Sequence, residues 1–399
     1  PAADFPLFAP PREPVELADY AAGLHAASTV PDGGTLQIGI GSMGDAVVQG
    51  LVLRQKRNAD FCQLLAALGH DTGNAAVRTE PFDAGLYGCT EMFVEGLLDL
   101  YRAGILKREV DGVVLHGGFF VGSRAFYRAL RDMPAETAAK FCMTSISFVN
   151  DIYHDEDKKR RARLKARFLN DAMMATLLGD VVSDGLEDGR IVSGVGGQYN
   201  FIAQGFALDG ARSAILLHAT RTAKGKTQSN IRWRYGHTTI PRHLRDMIIT
   251  EYGIADIRGK TDRDVIAAML AITDSRFQDE LLRQAKDAGK IERSYELPKS
   301  ARDNTPDAVA RALKPAADAG LLSAFPFGSD FTDVEQRLIS ALEMLKSASL
   351  GTLVSLVWRG LSGSADHADC MERMGLAQPQ GIADRLYAWL IGGALAQRQ

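Results

Sequence analysis

The chain has 399 residues, 46% of them hydrophobic, which is enough apolar side chain for a large buried core. Its 46 basic and 49 acidic side chains leave a net charge of −3, so the composition gives no indication of a nucleic-acid or anionic-membrane partner. The length predicts two domains, or one large catalytic domain with an extension.

The cysteines and histidines indicate neither a disulfide framework nor a metal site. The four cysteines lie far apart in the sequence: Cys62, Cys89, Cys142 and Cys370. They predict reduced thiols of an intracellular, cytoplasmic protein. The eight histidines show no metal-ligand spacing, so we expect no metal. The longest apolar stretch, LYAWLIGGALA, is too short to span a bilayer, and no signal peptide is visible.

The first predicted elements are a linker and a helix, which make residues 1–30 a lead-in segment. APPREP is typical of a linker, and apolar residues at helical spacing predict a helix over residues 15–28. TLQIGIGSMGDAVVQGLVL then predicts a strand, a glycine turn and a helix. Farther on, GCTEMFVEGLLDL, residues 88–100, predicts an amphipathic helix with Phe93, Leu97 and Leu100 on one face.

The next segments predict an α/β domain over residues 31–295. Further strand-then-turn units are GVVLHGG, FCMTSISFVND, RIVSGVGGQYNF, SAILLHA and DMIITEYG. Strands that alternate with helices indicate an open, mainly parallel sheet flanked by helices. Residues 296–399 begin with a polar linker and then predict a helical C-terminal extension. In that extension Thr332 and Glu335 have the spacing of a capping box.

The first of three glycine-rich turns, GIGSMG from Gly39 to Gly44, matches the dinucleotide-binding pattern GxGxxG. That pattern also requires an acidic residue at the end of the next strand. Here the corresponding region is LRQKRNADFCQ, in which no hydrophobic strand precedes Asp60. A nicotinamide site is therefore a minor alternative to a simple glycine turn at a strand end.

The other two turns have features of ligand-binding loops. SGVGGQYNF, from Ser193 to Phe201, has three glycines in four residues, which lets backbone amides approach developing negative charge. ATRTAKGKTQSN places Arg221, Lys224 and Lys226 around a glycine after a strand, which suits a phosphate-bearing ligand. A tight connecting loop and a solvated basic loop are the alternatives.

Glu91 has two interpretations from local sequence. A carboxylate in the first turn of a helix is stabilised by the helix dipole, by about 0.3–1 kcal/mol, and Thr90 could be the N-cap. The other interpretation is a catalytic carboxylate.

These motifs together resemble the C-terminal catalytic half of the acetyl-CoA hydrolase/transferase family, a branch of the class I CoA-transferases. The segments that carry the resemblance appear in the family's order over residues 31–289. They are LQIGIGSMGDAVVQGL, TEMFVEGLLDLYRAGIL, GSRAFY, FVND, SGVGGQYNF, TAKGK and PRHLRDMIITEYGIADIRGKT.

The resemblance implies an acyl-CoA:carboxylate CoA-transferase with Glu91 as the nucleophile and a glutamyl-CoA thioester as intermediate. It implies coenzyme A or acyl-CoA as substrate, no metal, and a homo-oligomer. Gly196 and Gly197 are expected to stabilise the oxyanion. The resemblance assigns these residues to the CoA site: Gly39, Ile40, Gly41, Ser42, Met43, Asn170, Gly197 and Lys224.

Some residues depart from the family's pattern and leave the substrate open. Asn200 and Thr176 replace acidic residues, Glu95 replaces an aspartate, and LHGGFFVGS, with His116, replaces a simpler segment. The family also has an N-terminal half, which we expect a longer protein or a partner chain to supply. An acyl-CoA hydrolase, which differs only in whether water reaches the glutamyl-CoA intermediate, is one alternative to the transferase. A non-catalytic CoA-binding subunit, suggested by the absent half, is another.

Overall fold

A computed structural model describes residues 7–69, 77–223, 225–362 and 367–397. Its strands are β1 (Thr35–Ile38), β2 (Tyr87–Phe93), β3 (Leu115–Phe120), β4 (Phe141–Met143), β5 (Arg167–Asp171), β6 (Met174–Thr176), β7 (Val181–Val182), β8 (Arg212–Leu216), β9 (Thr220–Ala223), β10 (Lys226–Ser229), β11 (Ile231–Arg232), β12 (Met247–Thr250) and β13 (Gly253–Asp256).

Helices are interspersed with the strands up to β8 and follow one another after β13. They are α1 (Leu17–Ala27), α2 (Ser42–Lys56), α3 (Asn58–Ala67), α4 (Glu95–Arg102), α5 (Arg124–Arg131), α6 (Ala135–Ala138), α7 (Ile146–Asn150), α8 (Glu156–Ala162), α9 (Gln198–Ala207), α10 (Asp262–Ala271), α11 (Ser275–Asp287), α12 (Pro306–Asp318), α13 (Asp333–Ser347), α14 (Leu350–Ser362), α15 (Ala368–Arg373) and α16 (Ile382–Ala396).

Eight of the described strands form one sheet, in the order β13-β12-β8-β5-β1-β2-β3-β4. Every pair in it is parallel except β12 with β13, which is antiparallel. The predicted α/β fold with an open, mainly parallel sheet is confirmed. Because the strands are parallel, the carboxyl ends of β1, β2, β3 and β5 meet at one edge of the sheet, where open α/β folds bind ligands.

Different helices cover the two faces of the sheet. On one face α1, α2, α3 and α4 pack on the central strands through a large apolar core that includes Leu24, Leu36, Val47 and Leu97. On the other face α9 packs through Phe201 on Phe168 of β5. Helices thus cover both sides of the central strands.

The chain divides into two compact units. The first consists of Pro1–Ala219 and Ser229–Gly328, and the second of Thr220–Gln228 and Ser329–Gln399. The boundary between the units lies between Gly328 and Ser329, after α12. The sequence had predicted that the C-terminal extension begins near residue 296. The second unit contains the predicted C-terminal helices, and α13 begins with the expected capping box of Thr332 and Glu335.

Two predicted elements were wrong. The stretch 141–151 is not one strand, because it forms the short β4 and then α7, whose N-cap Ser145 accepts a hydrogen bond from the Phe148 amide. Residues 190–197 are not a strand either. They form a loop that leads into α9 and joins the rest of the domain through an isolated bridge between Gly185 and Ile191. In the described residues, no helix is long and apolar enough to cross a membrane.

Candidate active site

Glu91 lies in the middle of a strand. The expectation that Thr90 caps a helix was wrong, because Thr90, Glu91 and Phe93 all belong to β2 and the helix begins only at Glu95. Pairing with β1 on one side and β3 on the other fixes this segment as a strand. The dipole of a helix therefore does not account for the carboxylate, and the catalytic interpretation gains weight.

Glycines flank Glu91 on both neighbouring strands. Leu36 pairs with Gly88 and Ile38 pairs with Leu169, and continuing these registers places Gly39 between Glu91 and Asn170. Thr90 pairs with Gly117 and Met92 with Phe119, so Gly118 lies level with Glu91 on β3.

A Cβ atom at Gly118 would overlap Ile146 Cδ1, so that position admits no side chain unless Ile146 moves. A Cβ atom at Gly39 would meet only the Leu169 carbonyl oxygen, at 3.8 Å, so that position is open. Because strands are about 4.8 Å apart, Asn170 and Glu91 stand roughly 10 Å apart on the same face of the sheet, with this gap between them.

Two helix ends hold the Glu91 side chain on that face. Asn150, the last residue of α7, donates from Nδ2 to Glu91 Oε2 at 2.8 Å. Gly197 is the N-cap of α9, and a Cβ atom there would overlap Glu91 Oε2. A Cβ atom at Gly196 would lie 3.2 Å from Glu91 Oε1, and Gly196 has a φ of 49°. The structure thus brings Glu91, Gly196 and Gly197 together.

A cavity of about 310 Å³, which we call the Glu91 cavity, opens at this point. Its lining includes the residues predicted from sequence and several that were not: Gln37, Gly39, Ile40, Glu91, Asn170, Asp171, Ser183, Gly196, Gly197 and Gln198. Asn170 is buried and exchanges two hydrogen bonds of 3.3 Å with Gln37, which fixes its orientation.

Two lining residues of the Glu91 cavity, Ser183 and Gln198, have unpartnered polar atoms, and so does Asn150 beside Glu91. Among the described residues, the buried Ser183 Oγ, Gln198 Oε1 and Asn150 Oδ1 have no hydrogen-bond partner. Buried polar atoms are normally paired, so these atoms are available to a ligand. The cavity offers a polar ligand both donors and acceptors around one carboxylate.

The five consecutive loop residues predicted to bind CoA take different positions. Gly39 and Ile40 line the Glu91 cavity, whereas Gly41 and Ser42 line an adjoining cavity together with Gly39 and Ile40. Gly41 has a φ of 107°, a backbone conformation that favours glycine at the start of α2. The Met43 side chain is buried in the hydrophobic core.

The strands on either side of the basic loop belong to the second compact unit. Lys224 lies outside the described residues. Its neighbours Arg221 and Lys226 belong to strands β9 and β10, which are part of the second compact unit. The role of Lys224 in CoA binding stays a prediction.

Sequence reasoning missed an acidic residue at the edge of the Glu91 cavity, Asp171. Burial raises the pKa of the Asp171 carboxyl to about 7, and the charge of Asp19 adds to this rise while His218 opposes it. The Asp171 side chain is exposed to solvent through the Glu91 cavity, which it lines. FLND contained this aspartate, but nothing in the spacing indicated that Asp19 would lie nearby.

His218 and Asp19 form a hydrogen-bonded pair close to Asp171. His218 Nε2 lies 2.7 Å from Asp19 Oδ1. Burial alone lowers the pKa of His218, but the bond to Asp19 outweighs it, and the net pKa is raised. Burial also raises the pKa of Glu251, which accepts the Ala219 amide at 2.8 Å. Asp171 thus interacts electrostatically with Asp19 and His218, and His218 in turn with Glu251.

His116 lies away from Glu91. Its Nδ1 is 2.6 Å from the Tyr87 hydroxyl, and burial lowers the pKa of the imidazole. It lines a small separate cavity of about 100 Å³ beside Cys142 and Phe148. In the part of the chain that the structure describes, no group of three or more His, Cys, Asp or Glu side chains could hold a metal.

Comparison with known proteins supports the family resemblance. A sequence model described as the acetyl-CoA hydrolase/transferase C-terminal domain matches residues 122–285. Over this segment the chain is similar to the acetyl-CoA hydrolase/transferase family. The matched segment contains Asn150, Asn170, Gly196 and Gly197, whereas Glu91 precedes it.

Named relatives of this family are CoA-transferases. The chain is 28% identical over 286 residues to 4-hydroxybutyrate coenzyme A transferase of Clostridium kluyveri, which covers 69% of this chain and 56% of the relative. It is 26% identical over 284 residues to butyryl-CoA:acetate CoA-transferase of Anaerostipes caccae. This match covers 68% of this chain and 54% of the relative. The chain thus spans about half the length of the curated relatives that it matches.

Solved structures share the fold. RipA from Yersinia pestis superposes with a TM-score of 0.56 at 25% identity, covering 72% of this chain and 57% of that one. The 4-hydroxybutyrate CoA-transferase of Porphyromonas gingivalis superposes with a TM-score of 0.51 at 22% identity. This superposition covers 72% of this chain and 59% of that one. These neighbours confirm the CoA-transferase type of α/β fold predicted from the sequence.

Proposed function

We propose that this chain is the catalytic part of an acyl-CoA:carboxylate CoA-transferase in which Glu91 is the nucleophile. The observation that carries the proposal is the carboxylate held at 2.8 Å by Asn150, beside two glycines and inside a cavity. The relatives named as CoA-transferases support the reaction class.

The chemistry suits a carboxylate nucleophile. Glu91 attacks the thioester carbonyl, the carbon–sulfur bond breaks, and a mixed anhydride forms while CoA leaves as a thiolate. The thiolate then attacks the glutamyl carbonyl and releases the acyl group as a carboxylate. An acceptor carboxylate reverses both steps and leaves as a new acyl-CoA, which restores Glu91.

Each step passes through a tetrahedral oxyanion, which backbone amides stabilise. We assign this role to Gly196 and Gly197, because their backbone approaches the Glu91 carboxylate so closely that no side chain fits there. We assign CoA binding to the loop from Gly39 to Ser42, to Asn170 and, from its sequence motif, to Lys224. A cytoplasmic homo-oligomer belongs to the same proposal and rests on the family and on the four free cysteines.

Mass spectrometry of the chain after incubation with acyl-CoA tests the nucleophile. We expect a CoA-sized adduct on the peptide that contains Glu91, and loss of that adduct in Glu91→Gln. Glu95→Gln is the matched control, since Glu95 lies on the same segment but pairs with Arg12 at 2.6 Å. An adduct that persists in Glu91→Gln would contradict the proposal. Turnover that needs an added carboxylate indicates a transferase, and turnover without one indicates a hydrolase.

A further inference from the structure

A second cavity of about 510 Å³ adjoins the Glu91 cavity on the opposite face of the sheet. Such a volume falls within the range of small-molecule sites. Its apolar lining includes Met92 of β2, Phe119 of β3 and Val48 of α2, together with Ile40 after β1, Val121 after β3, and Phe8, Pro10 and Pro11. We call it the apolar cavity.

The register of the sheet explains why the two cavities differ in character. Side chains alternate between the faces of a strand, so Met92 points away from the face that carries Glu91. Met92 pairs with Phe119, and continuing the register of β1 brings Ile40 level with both. This apolar row lies directly behind the row that contains Gly39 and Glu91.

The two cavities meet around the carboxyl edge of the sheet. Both are lined by Ile38, Gly39, Ile40 and Met92. Since Gly39 has no side chain and open space beside it, a chain attached to a carbonyl near Glu91 has a path over this edge. Ile40 is 51% exposed and Phe119 is 42% exposed, which leaves apolar surface for such a chain to cover.

Acidic side chains also line the apolar cavity. Arg12 Nη2 lies 2.6 Å from Glu95 Oε2 and 3.5 Å from Asp45 Oδ1, so one cation faces two carboxyl groups. Ser123 also donates to Glu95. A further carboxylate on a ligand would enter an apolar space that already has an excess of acid, and burial of such an unpaired charge is unfavourable.

We propose that the apolar cavity holds the acyl chain of the acyl-CoA donor and favours a long, uncharged chain over a short or carboxylate-bearing one. This inference rests on the proposed function, because the path of the chain begins at a thioester bound near Glu91. It names the substrate class as medium-chain, apolar acyl-CoA.

Calorimetric titration of the chain with acetyl-CoA, hexanoyl-CoA and succinyl-CoA tests the inference. A Glu91→Gln background prevents thioester exchange, so affinity alone is measured. Each buried methylene adds up to about fourfold in affinity, since it contributes about 0.8 kcal/mol. We therefore expect hexanoyl-CoA to bind at least tenfold more tightly than acetyl-CoA, and succinyl-CoA to bind no more tightly than acetyl-CoA.

Phe119→Ala and Phe120→Ala form a matched pair of variants. The two residues are adjacent on β3 and equally exposed at 42%, but only Phe119 lines the apolar cavity. Phe119→Ala should reduce the preference for hexanoyl-CoA severalfold and leave acetyl-CoA binding unchanged, whereas Phe120→Ala should change neither.

The outcomes separate this inference from the proposed function. Equal affinity for acetyl-CoA and hexanoyl-CoA would overturn the acyl pocket alone. An equal loss of the preference for hexanoyl-CoA in Phe119→Ala and Phe120→Ala would do the same. Tighter binding of succinyl-CoA than of hexanoyl-CoA would also overturn it. Failure of all three acyl-CoA ligands to bind would overturn the proposed function and the inference with it.

Discussion

Asn150 Nδ2 donates a hydrogen bond of 2.8 Å to Glu91 Oε2, and this contact joins the end of α7 to the middle of β2. The Asn150 side chain is itself buried, and its Oδ1 has no partner among the described residues. The amide therefore has one evident task in this structure, which is to orient the carboxylate toward the cavity.

Replacement of Asn150 should impair the reaction of Glu91 without removing Glu91. Asn150→Ala loses one hydrogen bond to a charged group, worth about 1.5–3 kcal/mol, so glutamyl-CoA formation should slow by about 10- to 100-fold. Asn150→Asp should be worse, because it places a second carboxylate against the first.

Asn200→Ala is the control for the Asn150 variants. Asn200 donates a bond of similar length, 2.9 Å, to Asp151 Oδ1, and does not contact Glu91. Rates of adduct formation, followed by intact-protein mass spectrometry, compare the two sites. Equal rates in wild type and Asn150→Ala would show that this amide does not position the nucleophile.

Gly197 and Gly194 provide a second matched comparison. A Cβ atom at Gly197 would overlap Glu91 Oε2 and lie 2.6 Å from Asn150 Nδ2, whereas a Cβ atom at Gly194 would meet nothing within 4 Å. Gly197→Ala should thus displace the carboxylate and lower the rate of adduct formation at least 100-fold, because near-attack geometry is lost. Gly194→Ala should react nearly as wild type does, and a comparable defect in the two variants would contradict this argument.

The sequence predicted the strands of the sheet better than it predicted the placement of Glu91. Apolar runs such as SAILL are too short to predict a helix, so they were recognised as strands. Residues Phe93, Leu97 and Leu100 happen to match helical spacing, although Phe93 lies in a strand. Pairing of β2 with β1 and β3 makes this segment a strand. Such long-range pairing is not visible in a local sequence pattern.

The same limit applies to the candidate site. Gly196 and Gly197 were predicted to lie at Glu91 because a family motif contains them. Asn150, Asp171 and His218 were not predicted, since their roles depend on neighbours far away in the chain: Asp19 precedes His218 by 199 residues, and Asn150 follows Glu91 by 59. Burial and proximity, rather than residue type, make them candidates.

Asp45 should make the folded chain less stable at neutral pH than in mild acid. Burial raises its pKa from 3.8 to about 6, with Glu95 adding to the rise and Arg12 opposing it. The folded state binds the proton more tightly than the unfolded state, so stability falls as the pH rises from about 4 to 6 and is then level.

Asp45→Asn removes the loss of stability at neutral pH, because asparagine does not titrate. Its gain in unfolding free energy should be near zero at pH 4 and reach up to about 3 kcal/mol at pH 8, since one pKa unit corresponds to about 1.4 kcal/mol. Urea denaturation at pH 4, 6 and 8 measures the gain. Asp209→Asn, at an exposed position, should show no such pH-dependent gain. A gain in Asp45→Asn that does not change with pH would disprove the assignment.

Asp171 should control the pH dependence of Glu91 acylation. Because burial and Asp19 raise its pKa to about 7, Asp171 is neutral below this pH and charged above it. The charged form adds a negative charge at the wall of the cavity where an oxyanion develops, which is unfavourable. The rate of adduct formation should consequently fall severalfold as the pH rises from 6 to 8.

Rates measured between pH 5.5 and 8.5 for three proteins test this dependence. In Asp171→Asn the fall near pH 7 should disappear, because the residue stays neutral throughout. Asp180→Asn, which changes an aspartate outside the Glu91 cavity, should retain the wild-type profile. His218 and Glu251 also titrate near this wall. If the fall near pH 7 persists in Asp171→Asn, one of these two groups controls it instead of Asp171.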